Sequence, residues 1–210
     1  MTTAVAPTIR LREAAPTAST RLPGLLSFIL AAQFMTVIML AASIAPGYDF
    51  NGAAISDLGV IQSTALLFNV SLVVVGLLNI AGGYLLYRSH GRAWILAFFV
   101  LAGLGAIGAG LVPLGTSDLH SLFAILAFLF FNLEAVAIGV RIRGTMGAIS
   151  VLAGAIGLVF MVLMVIGDSG ETGAFGVIGH GGTERMIVYP AMLWMLAFGG
   201  YLMARPSADA

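Results

Sequence analysis

Residues 146–167 read MGAISVLAGAIGLVFMVLMVIG, 22 residues without one charged side chain. A helix rising 1.5 Å per residue needs about 20 residues to cross the roughly 30 Å hydrocarbon core of a bilayer. The backbone finds no water there, and a helix satisfies its N–H and C=O groups within a single segment. The stretch is therefore predicted to be a membrane-crossing helix. Five further runs of the same kind accompany it, at about 25–45, 65–87, 93–112, 121–140 and 186–204, each bounded by charge, Gly or Pro. The predicted fold class is all-α, an integral membrane bundle of six transmembrane helices.

Composition points the same way. Of the 210 residues, 60% are hydrophobic and 9% charged, and the mean hydropathy is +1.07. A water-soluble domain carries about 25% charged residues, so this chain has too little polar surface to face water all round. Lys and Arg together number nine and balance nine Asp and Glu. With no net basic field, nucleic-acid binding is excluded as a function class. All nine cations are arginine, which removes Schiff-base chemistry and lysine general bases. The absence of cysteine removes disulfides, thiolate nucleophiles and cysteine metal sites.

Residues 1–23, with Pro7, Pro16 and Pro23, lack an apolar stripe and read as a disordered cytoplasmic tail; residues 206–210 read the same way. Residues 24–205 then form the six-helix transmembrane domain. The run at 25–45 exceeds the roughly 7–15 residues of a signal-peptide core, and Pro46 would directly follow a cut after Ala45. It reads as a retained helix.

Arginine sets the expected orientation. If the spans alternate, Arg10, Arg12, Arg21, Arg88, Arg92, Arg141, Arg143 and Arg205 fall on one side and Arg185 alone on the other. By the positive-inside rule both termini are cytoplasmic, in a multi-pass protein of the cell membrane. The short links at 88–92 and 141–145 then make helices two and three, and four and five, antiparallel neighbours. Ala102, Ala106 and Gly110, beside Gly103, Gly105 and Gly108, place small residues where helix backbones approach closely, as Gly154 and Gly157 do on helix five. These glycines read as packing, because no strand precedes them as a phosphate-binding loop requires. Tyr84, Tyr87, Trp94 and Tyr201 fall at the cytoplasmic interface as an aromatic belt, whereas Trp194 lies mid-span and is expected inside the bundle.

The ionisable chemistry gathers on the outer side. Asp57 precedes helix two, Asp118 and His120 open helix four, and His180, Glu184, Arg185 and Tyr189 surround the start of helix six. A compact bundle would bring these ends into one polar pocket for a lipid headgroup or small ligand, with membrane lipid as the partner. Arg185 is expected to pair with Asp57 or Glu184, as a bidentate guanidinium does with a carboxylate. A second chemistry is open at the same place. His120, His180 and Glu184, with Asp57, Asp118 or Asp168, are candidate ligands for a divalent metal such as zinc, whose activated water would hydrolyse a lipid ester or amide. Plain capping competes with both: Ser117 and Thr183 sit where N-caps belong, leaving Asp118 and Glu184 in first turns that favour an acid.

Inside the membrane, Glu134 stands on helix four with Asn132 beside it, and Asn69 and Asn79 lie on helix two. A charged carboxylate at that depth costs about 2.5–3.5 kcal/mol on insertion scales, so Glu134 is expected to face the bundle. It is read as protonated or hydrogen-bonded to Asn79. Proton-coupled transport through Glu134 is the competing reading, although no internal repeat or half-helix pair supports it.

Ile55-Ser56-Asp57-Leu58-Gly59, then Phe68-Asn69 with Gly76, Pro113 with His120, and Gly182, Glu184-Arg185, Tyr189-Pro190 and Trp194 together resemble a prokaryotic six-span family. That family is catalogued as domain of unknown function nine-hundred-ninety-eight, and the likeness covers residues 25–204. The Ile-Ser-Asp element is also similar to that of the DRAM and Sfk-type membrane proteins, which are associated with lipid and membrane homeostasis. The resemblance implies fold and topology. It implies no catalytic role, because the family carries no settled activity.

Overall fold

The computed structural model describes residues 20–204. It contains six long helices: α1 Arg21–Ile44, α2 Ala65–His90, α3 Ala93–Leu111, α4 Leu119–Gly139, α5 Thr145–Asp168 and α6 Gly179–Met203. Short 3₁₀ turns lie at Ser56–Gly59 and Thr172–Ile178. All six helices are long and apolar enough to cross a membrane, and no strand occurs among the described residues. The fold class is all-α, as the hydropathy implies.

The helices pack in chain order, each against the next, and α6 returns to α1 to close a ring. The tight α2–α3 connection turns on Gly91, whose φ of 67° suits a residue without Cβ and whose N–H reaches the Tyr87 carbonyl at 2.7 Å. Lipid is as apolar as leucine, so burying more leucine gives little association energy, and close backbone approach takes its place. A Cβ on Gly103 of α3 would meet the Gly76 carbonyl of α2 at 2.7 Å, and one on Gly199 of α6 would meet the Gly24 carbonyl of α1 at 2.6 Å. Other α3 glycines, Gly105 and Gly108, lie against α4 at Ala127 and Phe123. Thus α3 carries small residues toward both neighbours.

Polarity is inverted relative to a water-soluble protein. Leu66, Met39 and Val159 lie on the outside, whereas Asn79, Asn132, Glu134 and Ser150 are buried. Trp194 is inside the bundle as expected, donating from Nε1 to Ser150 Oγ at 2.7 Å and stacking on Phe198.

Two boundaries differ most from expectation. Residues 21–23, assigned to the tail, form the first turn of α1, anchored by the buried Thr20 hydroxyl donating to the Leu202 carbonyl at 3.0 Å. The expected tails at 1–19 and 206–210 lie outside the described residues. Helix α6 begins at Gly179 rather than near 186. Glycine lowers intrinsic helix propensity, which hides this turn from the sequence, but the structure uses it for contact: the Gly181 N–H donates to the Asn51 carbonyl at 2.8 Å.

Candidate functional site

The segment 45–64, between α1 and α2, is a folded cap over one end of the bundle. Asp49 closes its first turn by accepting from the N–H groups of Asn51 at 3.1 Å and Gly52 at 2.9 Å. Those donors hold its carboxyl below the usual carboxylate range. Asp57 accepts from Ala54 N–H at 2.8 Å, Thr64 donates to the Leu58 carbonyl at 2.7 Å, and Asn69 of α2 donates to the Gly59 carbonyl at 2.8 Å. Asn69, expected among the intramembrane polar residues, is thus a tie between α2 and the cap.

Glu184 and Arg185, consecutive on α6, fasten this cap to the bundle. The Glu184 carboxylate accepts the Ile55 N–H and a backbone hydrogen bond from Ser56. Arg185 Nη1 donates to the carbonyls of Phe50 at 3.0 Å, Ala53 at 3.1 Å and Gly181 at 2.7 Å, while Nη2 donates to the Tyr48 hydroxyl at 2.6 Å. The Tyr48 hydroxyl passes its own hydrogen to the Ala54 carbonyl at 2.7 Å. The guanidinium also lies over the rings of Phe50, 4.7 Å away, and Tyr48, 5.6 Å away.

The expected ion pair is therefore replaced. Among the described residues no salt bridge joins Arg185 to Asp57 or Glu184. Glu184 is 4% exposed and Arg185 8%, so each must find hydrogen bonds in exchange for lost water. The cap offers both kinds: orphan N–H groups for the acid and orphan carbonyls for the base. Thr183 is likewise not an N-cap; it lies inside α6 and donates to the Gly179 carbonyl at 2.9 Å.

His120, in the first turn of α4, is buried, and its Nδ1 lies 2.7 Å from the Val112 carbonyl at the end of α3. Beneath the cap a cavity of about 60 Å³ runs between the helices. His120, Ser56 and Glu184 line it at the cap end, and Phe68, Leu72 and Phe131 are among the apolar side chains deeper in. Asn132 also belongs to the lining, which therefore spans twelve residues of α4 from His120, about 18 Å along the axis. The lining is mainly apolar rather than the polar pocket expected.

The remaining residues of the expected cluster stand elsewhere. His180 is more than a third exposed and sits 3.2 Å from Asp168 at the end of α5, with its ring edge-on to Phe175. Asp118 is exposed. Tyr189 packs against the hydrophobic core from α6. No three side chains of the metal-ligating types gather among the described residues; His120, His180 and Glu184 each hold separate partners.

At mid-bundle, Asn79 Nδ2 donates to Glu134 Oε1 at 2.7 Å and to the Phe99 carbonyl at 3.0 Å. Asn132 Nδ2 donates to the carbonyls of Phe128 at 2.8 Å and Ile187 at 3.1 Å. The expected Asn79–Glu134 contact is present.

Sequence reasoning missed Tyr48 and Gln33. Tyr48 carries a signal in retrospect, since Tyr48 and Phe50 are the aromatic residues of a cap otherwise built from small, aliphatic and polar residues. Gln33 of α1 accepts from Ser71 of α2 at 2.8 Å.

Six apolar spans closed into a ring, with polar groups turned inward, define an integral multi-pass membrane protein. Residues 28–201 match the family described as protein of unknown function DUF998, and the chain belongs to that family. Comparison with curated proteins and with solved structures found no match.

Proposed function

We propose that this protein binds a lipid or lipid-like amphiphile in the cavity beneath its cap, with the cap side facing the cell exterior and both termini in the cytoplasm. One observation carries the reading: an elongated, mainly apolar chamber has His120, Ser56 and Glu184 at its cap end, while Asn132, the polar residue farther along the lining, has its amide N–H groups engaged by the Phe128 and Ile187 carbonyls. An amphiphile needs that arrangement, apolar walls for a chain and a few polar groups that orient its head. About 60 Å³ accommodates the first carbons of a chain, so the rest of the molecule would lie outside the bundle. The imidazole and the hydroxyl supply a hydrogen-bond donor or acceptor to a head bearing a hydroxyl, amide or ester.

The test is binding of a fluorescent monoacyl lipid to the purified chain, compared with Ala124→Phe, which fills the cavity, and His120→Ala. Reduced binding in both variants, at unchanged melting temperature, is the expected result. Undiminished binding in Ala124→Phe would sink the reading.

Hydrolysis by a bound metal would require His120, His180 and Glu184 on one ion, and no observation favours that arrangement. Elemental analysis of the purified chain and of His120→Ala tests it independently. Transport through Glu134 would require a polar path on both sides of the Asn79–Glu134 contact. Proteoliposome flux with Glu134→Gln tests that reading.

A further inference from the structure

At the end of the bundle away from the cap, where α2 passes into α3 and α4 into α5, there is a second cavity of about 420 Å³. Its volume falls in the range of small-molecule sites, roughly 300–1,000 Å³. Arg92, Arg141 and Arg143 belong to its wall, with Tyr87 beside them, and Ile95 and Phe198 are part of its apolar floor.

The three guanidinium groups are exposed, and no hydrogen bond or ion pair joins them to another described residue. Arg88, close by on α2, differs in having Tyr84 as a partner at 3.3 Å. Among the described residues, every carboxylate except Glu134 belongs to the cap end: Asp49, Asp57, Asp118, Asp168, Glu171 and Glu184. Glu134 lies within α4, seven residues before Arg141 in the turn that follows the helix, and is engaged by Asn79. Three cations around one concavity, with low-dielectric walls and no facing acid among the described residues, concentrate positive potential there. Arginine presents the planar fork that matches phosphate oxygens.

We propose that this cavity binds the phosphate of an anionic phospholipid headgroup, with the apolar floor covering the glycerol and the first acyl carbons. A lipid fits better than a free phosphate ester for two reasons. Much of the wall is apolar, and the ends of membrane-spanning helices are where headgroups lie. Cationic side chains that serve only as topology signals would need no cavity and no apolar floor.

The experiment uses the full chain in nanodiscs of phosphatidylcholine doped with phosphatidylglycerol, with retained lipid counted by native mass spectrometry. The intact chain is expected to retain phosphatidylglycerol over phosphatidylcholine. Arg92→Gln/Arg141→Gln/Arg143→Gln should lower that preference by about a hundredfold, on the scale of one factor of several per arginine, while Arg88→Gln leaves it in place. These side chains hold no partner among the described residues, so the triple variant should melt like the parent in pure phosphatidylcholine. The proposal is overturned by no preference in the intact chain, by full preference in a triple variant that melts like the parent, by equal loss in Arg88→Gln, or by displacement of the lipid by millimolar glycerol phosphate. The last would reassign the cavity to a soluble phosphate ester. Should the triple variant melt lower, each arginine is replaced singly; single variants that melt like the parent yet keep its full preference would equally refute the site.

Discussion

Asn79 Nδ2 lies 2.7 Å from Glu134 Oε1 and 3.0 Å from the Phe99 carbonyl, so one amide on α2 joins α3 and α4. Glu134 is fully buried and its other oxygen has no partner among the described residues. Asn79→Leu removes both bonds and strands the carboxyl. A buried polar group left unsatisfied costs about 1–3 kcal/mol, so thermal unfolding in detergent should shift down. Glu134→Gln keeps an oxygen to accept from Asn79 and should melt close to the parent. A larger loss in Glu134→Gln than in Asn79→Leu would mean that charge, and not the hydrogen bond, governs this contact.

Arg185 holds the cap through geometry as much as through charge. Lysine keeps the charge but lacks the fork that spans the carbonyls of Phe50, Ala53 and Gly181 and the Tyr48 hydroxyl. Arg185→Lys should leave the six helices intact by circular dichroism while making segment 45–64 markedly easier to cleave with protease. Glu184→Gln, which retains an acceptor for Ile55 N–H, should cleave at a rate nearer the parent. Equal protection in Arg185→Lys and the parent would show that the carbonyl contacts contribute nothing to docking.

The phenol of Tyr48 is pushed up to about 12, chiefly by burial, with Arg185 pulling the other way. The folded state thus favours the protonated form. Between the ordinary tyrosine value near 10 and about 12, the folded chain keeps a proton that the unfolded chain has released. The stabilisation is full below pH 10 and is lost as pH rises through 12. An ultraviolet titration should show one tyrosine ionising late, and Tyr48→Phe should remove that late step. If Tyr48→Phe leaves the late step unchanged, the assignment fails.

Because the chain has no cysteine, orientation is open to single-cysteine labelling without background. Thr145 and Thr172 are both exposed; Thr145 opens α5 and Thr172 lies just past its other end, at the start of the 3₁₀ turn. An impermeant maleimide should modify Thr172→Cys in intact cells and Thr145→Cys only after permeabilisation. The reverse pattern would invert the topology.

Packing by backbone approach predicts that a side chain at Gly103 is costly. A Cβ there meets the Gly76 carbonyl and Ile80, and overpacking a tight contact costs about 1–3 kcal/mol. Gly103→Val should lower the melting temperature, whereas Gly200→Val, with open space around it, should cost less.

Six spans, their short antiparallel links, the small-residue faces of α3 and the inward Glu134 with Asn79 were all legible in the chain. Each follows from a local rule: hydrocarbon thickness sets span length, buried backbone forces helix, and a polar group in lipid turns toward another. Such rules act over one helix or one adjacent pair, so a linear sequence displays them. The cap was not legible in this way. The sequence brought Asp57, His120, Glu184 and Arg185 to one end, but the choice of partner depended on which backbone groups loop 45–64 left unbonded there. Once Ile55 N–H and the carbonyls of Phe50 and Ala53 were available, acid and base each took a backbone partner instead of each other. Tertiary structure alone decided that, and with it the two cavities, because an enclosed volume is the space left between helices and no single segment encodes it.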